Sequence, residues 1–252
     1  MLDILPQDDG IVEIRLARPP VNALNLDLVR LLRQTIEQAP AQGTQGIVLS
    51  GTQGMFSAGV DVPSLLGADR ATVREYWREF FLMCGALANS PLPLVAAVTG
   101  HSPAGGAVLA LFCDYRVMAH GPYRIGLNEV QVGLSVPDPI QVALRRVVGP
   151  YRAERLLVAG AMLDAEQALA VGFVDELSGL EQVNTRAHVW LRELLALPRQ
   201  AMLRTRSLAR ADLAATFANV DALPLDGFLD DFFSEETQAT LAALVARLKG
   251  PR

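Results

Sequence analysis

Apolar and polar residues alternate over Ile11-Val12-Glu13-Ile14-Arg15-Leu16, which predicts a strand. Pro19-Pro20 ends it. Asn25 is a suitable helix cap, and Leu28, Leu31, Leu32 and Ile36 then recur at helical spacing, predicting a helix through about Gln38. Gly46 to Ser50 is a short apolar run and reads as a buried strand. Over 70–89, Val73, Trp77, Phe80, Phe81, Cys84 and Leu87 mark one helical face, stopped by Pro91 and Pro93. Leu94 to Val98 predicts another strand, followed by a Gly-rich turn at 100–106 and a helix over 105–112. Further strands are predicted at Tyr115 to Ala119 and Phe173 to Leu177, with helices at about 139–148, 151–159 and 165–171 between them. Short strands alternating with helices up to residue 177 favour an α/β core. After about residue 180 only helical patterns follow, at 181–196, 199–211 and 235–248. The segment 218–231, with Pro224 and Gly227, reads as a loop. No internal repeat or low-complexity tract is visible.

Composition narrows the classes. The 252 residues are enough for one large domain or a domain with an appendage, and 51% hydrophobic content supplies a core. A net charge of −5 leaves no basic footprint for nucleic acid. No apolar run is as long as a membrane span, so no membrane partner is expected. The N-terminal stretch Met1 to Asp9 is acidic, with neither a signal-peptide n-region nor an Arg-rich amphipathic pattern. A cytoplasmic chain is the expectation, a mature mitochondrial form being the alternative. Cys84 and Cys113 form no CxxC pair and read as free buried thiols of a reducing compartment.

One acid stands apart. Glu129 is the only carboxylate between Asp114 and Asp138, inside the largely apolar string from Ile125 to Leu134. Burial makes such a group costly to ionise, so it is a candidate proton carrier with a raised pKa. A buried structural salt bridge is the plainer alternative. Asp138, just before Pro139, reads as the start of a helix, with a second active-site acid as the other option.

The turn Gly100-His101-Ser102-Pro103-Ala104-Gly105-Gly106 admits three readings. It sits in the strand-to-helix context of a nucleophile elbow, yet the downstream histidines, His120 and His188, complete a triad poorly, and Pro103 removes an N–H that an elbow uses. Its glycines can serve only close strand–helix packing. Or the Gly105 N–H, at a helix start, can receive a developing negative charge, with Ala58 of Phe56-Ser57-Ala58-Gly59-Val60-Asp61 as a second donor.

Taken in order, Val21-Asn22-Ala23-Leu24, the Phe56–Asp61 turn, Pro103-Ala104-Gly105-Gly106, Cys113-Asp114-Tyr115-Arg116, Asn128-Glu129 with Gly133, and Asp164-Ala165-Glu166-Gln167-Ala168 leading to Val171-Gly172-Phe173-Val174 cover nearly the whole chain. On these residues the sequence resembles the crotonase (enoyl-CoA hydratase/isomerase) superfamily, and within it the branch of mitochondrial-type 3,2-trans-enoyl-CoA isomerases. The resemblance implies a spiral core of ββα turns over residues 1–195. It also implies a helical oligomerisation region over 196–252 that forms homotrimers or dimers of trimers. The substrate it implies is an acyl-CoA thioester, coenzyme A being part of the substrate, with no separate cofactor and no metal. The thioester oxygen would lie at the N–H groups of Ala58 and Gly105. The implied contact residues are Asn22, Ala23, Leu24, Ser57, Gly59, Asp61, Val62 and Val108. For Asn22, Ala23 and Leu24 the alternative is a simple turn, and for Asp61 a role in shaping its own turn.

Hydratases of this family carry one glutamate a few residues after the second glycine turn and another at the position of Glu129. Here the first position is Val108, and Val95 to Cys113 contains no acid. Hydration needs a water held between two carboxylates, whereas moving a double bond needs one base that takes a proton from C2 and returns it at C4. The expectation is therefore an isomerase converting 3-enoyl-CoA to 2-trans-enoyl-CoA in fatty-acid β-oxidation, with Glu129 as base and then acid. An enoyl-CoA hydratase or other acyl-CoA enzyme, a non-catalytic CoA-binding protein and a Ser102 hydrolase are the alternatives. The helix over 70–89, through Trp77 and Phe81, is a candidate wall of the acyl pocket.

Overall fold

The apolar runs at 46–50 and 94–98 lack alternation because both faces of their sheet are covered. The computed structural model describes residues 1–7 and 9–249. Asp8 of the acidic N-terminus and residues 250–252 of the predicted helical region lie outside the described residues. Strands β1 (Leu2–Pro6) and β2 (Ile11–Leu16) pair antiparallel, and α1 (Leu26–Gln38) follows, its first turn capped by the Asn25 side chain. The chain then makes three similar passages. In the first, β3 (Gly46–Ser50) and β4 (Gly54–Met55) lead to α2 (Val62–Leu65) and α3 (Arg70–Ala88). In the second, β5 (Leu94–Val98) and β6 (Gly100–Pro103) lead to α4 (Gly105–Leu111). In the third, β7 (Tyr115–Ala119) and β8 (Arg124–Gly126) lead, through a 3-10 turn at Glu129–Val132, to α5 (Asp138–Val148) and α6 (Pro150–Ala159). Next come β9 (Leu163–Asp164), α7 (Ala165–Val171) and β10 (Glu176–Ser178).

The first strand of each passage joins a six-stranded sheet of order β1-β2-β3-β5-β7-β10, parallel from β2 onward. The second joins a four-stranded sheet of order β4-β6-β8-β9. This is the expected α/β spiral of ββα turns. The repetition is topological and leaves no trace as a sequence repeat.

Alternate residues of the large sheet enter two cores. Ile14, Leu49, Ala96 and Met118 join the main core with residues of α1, α3 and α4. Ile11, Val48, Val95, Ala97 and Val117 pack with Val183, Ala187 and Leu191 of α8 (Val183–Leu195). Parallel strands sandwiched in this way read as unbroken apolar runs. Truncating one of these buried aliphatic residues to Ala costs about 2–5 kcal/mol.

Among the described residues after α8, four α-helices follow: α9 (Arg199–Ala209), α10 (Ala211–Ala215), α11 (Leu225–Phe232) and α12 (Glu235–Lys249). They lie on this chain's own body. α10 packs on α3 and α5, α11 on α3, and α12 on both α2 and the Glu129–Val132 turn. α9 is fastened through Asp114 at the head of β7. That carboxylate takes Arg206 Nε and Nη2 at 2.9 Å each, Arg210 Nη1 at 3.1 Å, and the Leu94 N–H at 2.8 Å. Cys84 and Cys113 are free and buried, and burial pushes both thiols up, that of Cys113 to about 12. No described helix is long and apolar enough to cross a membrane.

Several sequence expectations are corrected. The loop predicted at 218–231 contains a 3-10 turn, Val220–Ala222, and α11. Pro224 caps this helix rather than breaking it, and Phe228, Leu229 and Phe232 are its buried face. The strand predicted at 173–177 lies at Glu176–Ser178, while Phe173 and Val174 are core residues in a bend. Leu31, expected on the buried face of α1, is exposed.

Candidate active site

Two turns at the ends of neighbouring passages meet backbone to backbone. Gly59 has φ +80°, and a Cβ there would stand 2.9 Å from both the Gly105 nitrogen and the Pro103 oxygen. Only glycine fits, on both conformation and space. Ala104, the residue before α4, is held at φ 46°, ψ −119°, a conformation that L residues avoid, and its N–H donates to Gly126 O at 2.8 Å. That geometry presents Gly105 as the first residue of the helix, where its N–H has no intrahelical acceptor and makes no hydrogen bond among the described residues.

The Phe56–Asp61 turn is built by the residues expected to touch ligand. Asn22 is buried at φ 53°. Its Oδ1 accepts from Arg18 N–H at 2.9 Å, and its Nδ2 lies 3.1–3.2 Å from Thr52 Oγ1, Met55 O and Phe56 O. Ser57 Oγ donates to Asn22 O at 2.8 Å and accepts from Gly59 N–H at 3.1 Å. Leu24 is buried, and its backbone joins Gly59 O and Asp61 N–H, while its carbonyl also takes the Tyr76 hydroxyl at 2.8 Å. Asp61 pairs with Arg18 at 2.7 Å, and Arg18 also donates to Ala23 O at 2.9 Å. The side chains of Asn22, Ser57 and Asp61 and the backbone of Leu24 are thus committed to shaping the turn. Ala23 and Val62 stay partly exposed, and Val108 is buried within α4.

One predicted donor is corrected. The Ala58 N–H donates to Val21 O at 2.9 Å and so is spent inside the protein. Val60 N–H makes no hydrogen bond among the described residues, and its nitrogen is 3.3 Å from where a Cβ on Gly105 would be. The amides left over where the turns meet are those of Val60 and Gly105. The sequence pointed to Ala58, whereas the free amide of this turn is that of Val60, because which amide is free depends on a carbonyl from the distant 18–24 loop.

Glu129 opens the 3-10 turn that follows β8. The residue is only partly covered, yet its Oε2 is buried without a hydrogen-bond partner, and the carboxylate joins no ion pair among the described residues. The salt-bridge alternative is therefore not realised. Burial pushes its pKa from an ordinary 4.5 up to about 7. The neighbouring Asn128 Oδ1 is likewise buried and unpartnered. Asp138, by contrast, is exposed at the start of α5 and pairs with Arg145 at 2.8 Å, as a helix-terminal acid does. A few residues beyond the Glu129 turn, Val136 and Pro139 help line a cavity of about 300 Å³ with Phe81, Leu223, Leu225 and Phe228. Phe81 of α3 lines this cavity. Trp77 lies behind it, its ring edge-on to Phe228 with centroids 4.7 Å apart.

The elbow is not assembled. Ser102 lies on β6 and its buried Oγ has no hydrogen-bond partner. His120 pairs with Glu166 at 2.7 Å, and His188 Nδ1 lies 2.8 Å from Asn184 O within α8.

The family model described as enoyl-CoA hydratase/isomerase matches residues 7–249. The chain belongs to this family. Among curated members, the human mitochondrial enoyl-CoA delta isomerase 1 is 32% identical over 243 residues, covering 95% of this chain and 80% of that one. A probable enoyl-CoA hydratase of Mycobacterium avium is 33% identical over 221 residues, covering 86% and 80%. Among solved structures, human mitochondrial delta3-delta2-enoyl-CoA isomerase superposes with a TM-score of 0.94 at 31% identity, covering 98% of each chain. An enoyl-CoA hydratase from Mycobacterium ulcerans reaches 0.82 at 31% identity, covering 92% of this chain and 99% of that one. Family members thus carry both names, so the choice between the two reactions falls to the residues of the site. Val60 and Asn128 carry no signal in the sequence, and only their unpartnered polar atoms single them out.

Proposed function

We propose that the protein is an enoyl-CoA isomerase of fatty-acid β-oxidation, moving the double bond of a 3-enoyl-CoA to the 2-trans position. The observation that carries this reading is that Glu129 is an unpaired acid with its Oε2 buried and its pKa raised to about 7, while α4 offers Val108 and no second carboxylate. In this reading the thioester oxygen lies at the N–H groups of Val60 and Gly105, which are fixed and need no reorganisation as charge develops. Glu129 takes a proton from C2. The resulting dienolate is held at the two amides, and Glu129 returns the proton to C4. A carboxyl with a pKa near 7 suits both halves, being basic enough to accept and acidic enough to donate. Ala23 and Val62 are the partly exposed residues placed to meet the coenzyme A portion, and the cavity beside Phe81 receives the acyl tail.

Turnover needs the ionised carboxylate, so activity should rise with pH through about 7. The test offers 3-enoyl-CoA and 2-enoyl-CoA separately. An isomerase raises the absorbance of the conjugated thioester from the first, whereas a hydratase lowers it from the second. Glu129→Gln should reduce turnover of 3-enoyl-CoA by a factor on the order of 10³. Near-normal turnover by that variant would sink the assignment. The hydratase name carried by bacterial relatives at 33% identity keeps hydration as the second reading, which the same pair of assays decides.

Assembly into trimers or pairs of trimers belongs to the same proposal. Tyr151 and Val158 on α6 are exposed and line a groove of about 610 Å³ with Val130 and Leu157, a surface that another copy would cover. Light scattering on the intact protein reads the state directly.

A further inference from the structure

The carboxylate of Glu129 is not held by any hydrogen bond to its Oε2, so its place is set by the backbone of the turn that carries it. That turn closes at Gly133, whose φ is +77° and whose N–H donates to Glu129 O and Val130 O. Leu134 N–H adds a second bond to Glu129 O, at 3.1 Å. The outer side of this closure is occupied by α12. Thr237, 2% exposed, donates from Oγ1 to Gly133 O at 2.7 Å. Its hydroxyl is itself oriented by Ser234, whose Oγ donates to it at 3.0 Å and accepts from the Thr237 N–H at 3.2 Å. A Cβ on Gly133 would stand 3.1 Å from both Thr237 Cα and Oγ1, so the approach is as close as a glycine allows. Further along α12, Leu241 and Val245 are buried, and the same helix packs on α2, directly after the turn that holds Val60. One helix therefore touches the supports of both the acid and the amides.

We infer that Thr237 is a positioning residue for Glu129, its hydroxyl fixing from the chain's own C-terminal helix the turn that carries the carboxylate. The kinetic readout rests on the isomerase reading above; the positioning itself does not. Thr237→Val keeps the shape and removes the hydroxyl, and Thr237→Ser keeps the hydroxyl. On 3-enoyl-CoA, Thr237→Val should lower kcat about tenfold with KM within about twofold, and Thr237→Ser should return kcat to within about threefold of the parent, since small misplacement of a reacting group is felt in the chemical step. Independently of turnover, the titration of Glu129 can be followed by infrared difference spectra against Glu129→Gln. Its midpoint should move by at least about 0.5 pH in Thr237→Val and return in Thr237→Ser. Unchanged kcat and midpoint in Thr237→Val overturn the inference. Equal losses in both variants with a matching fall in Tm also overturn it, because they mark a role in stability alone. If the parent protein fails to turn over 3-enoyl-CoA, the isomerase reading falls, and the infrared midpoint still decides the role of Thr237.

Discussion

The turn at Phe56–Asp61 and the turn at Glu129–Val132, the two on which the proposed reaction draws, are built on opposite terms. In the first, nearly every polar group is engaged. Asn22 bonds through both ends of its amide, Ser57 bridges two backbone groups, Asp61 has Arg18, and Val60 N–H stands out as the group left over. In the second, the side chains that matter are the unengaged ones, Asn128 Oδ1 and Glu129 Oε2. The first turn gains rigidity from satisfied bonds. The second keeps a destabilising group in place because its backbone is held from outside. The contrast lies in how the polar atoms of each turn are satisfied, since unpartnered atoms also occur at Ser102, outside both turns.

Three substitutions press on that contrast. Asn22→Ala should cost the most, about 4 kcal/mol or more, by removing several buried hydrogen bonds at about 1 kcal/mol each and placing Ala in a left-handed conformation. Urea unfolding measures it, and a loss below about 1 kcal/mol would mean the amide is not the keystone of this turn.

Glu129→Gln should act with the opposite sign and depend on pH. Below about 4.5 the carboxyl is neutral in both folded and unfolded chains and carries no penalty. Between about 4.5 and 7 the unfolded chain ionises first, so native stability falls as pH rises, and above 7 the full penalty persists. The Gln variant should therefore be more stable than its parent at pH 8, by on the order of 3 kcal/mol, and no more stable at pH 4. Equal stability of the two proteins at pH 8 would show the acid to be paired after all.

Ser102→Ala should have the smallest effect. Its hydroxyl is buried and unpartnered, so removing it should change stability by less than about 1 kcal/mol and leave turnover unaltered. Lost turnover, or labelling of Ser102 by a serine-directed phosphonate, would revive the elbow.

What could be read in the chain follows from what each signal depends on. The strands at 46–50, 94–98 and 115–119 are visible because burial on two faces makes most of their length apolar. The second sheet was not, since strands of two to four residues such as β4, β8 and β9 carry no periodicity. α11 was hidden by Pro224 and Gly227, which read as breakers and in fact sit at its cap and first turn. Glu129 was visible as a solitary acid among apolar neighbours. The difference between Ala58 and Val60 was not, because both share a turn and only the Val21 carbonyl decides which amide is spent. The helices after residue 196 were expected as an oligomerisation region, and their amphipathic pattern is equally consistent with the contacts they make on their own chain.

The two buried cysteines give the molecule a built-in clock. Cys84 and Cys113 lie in the main core, one on α3 and one just after α4, with their thiols held protonated by burial. A thiol reagent can reach either only when its surroundings open, so the labelling rate of each reports how often that part of the core exposes itself. Labelling at one common rate would mean that α3 and α4 come apart together. Two separate rates would mark where the spiral begins to unwind.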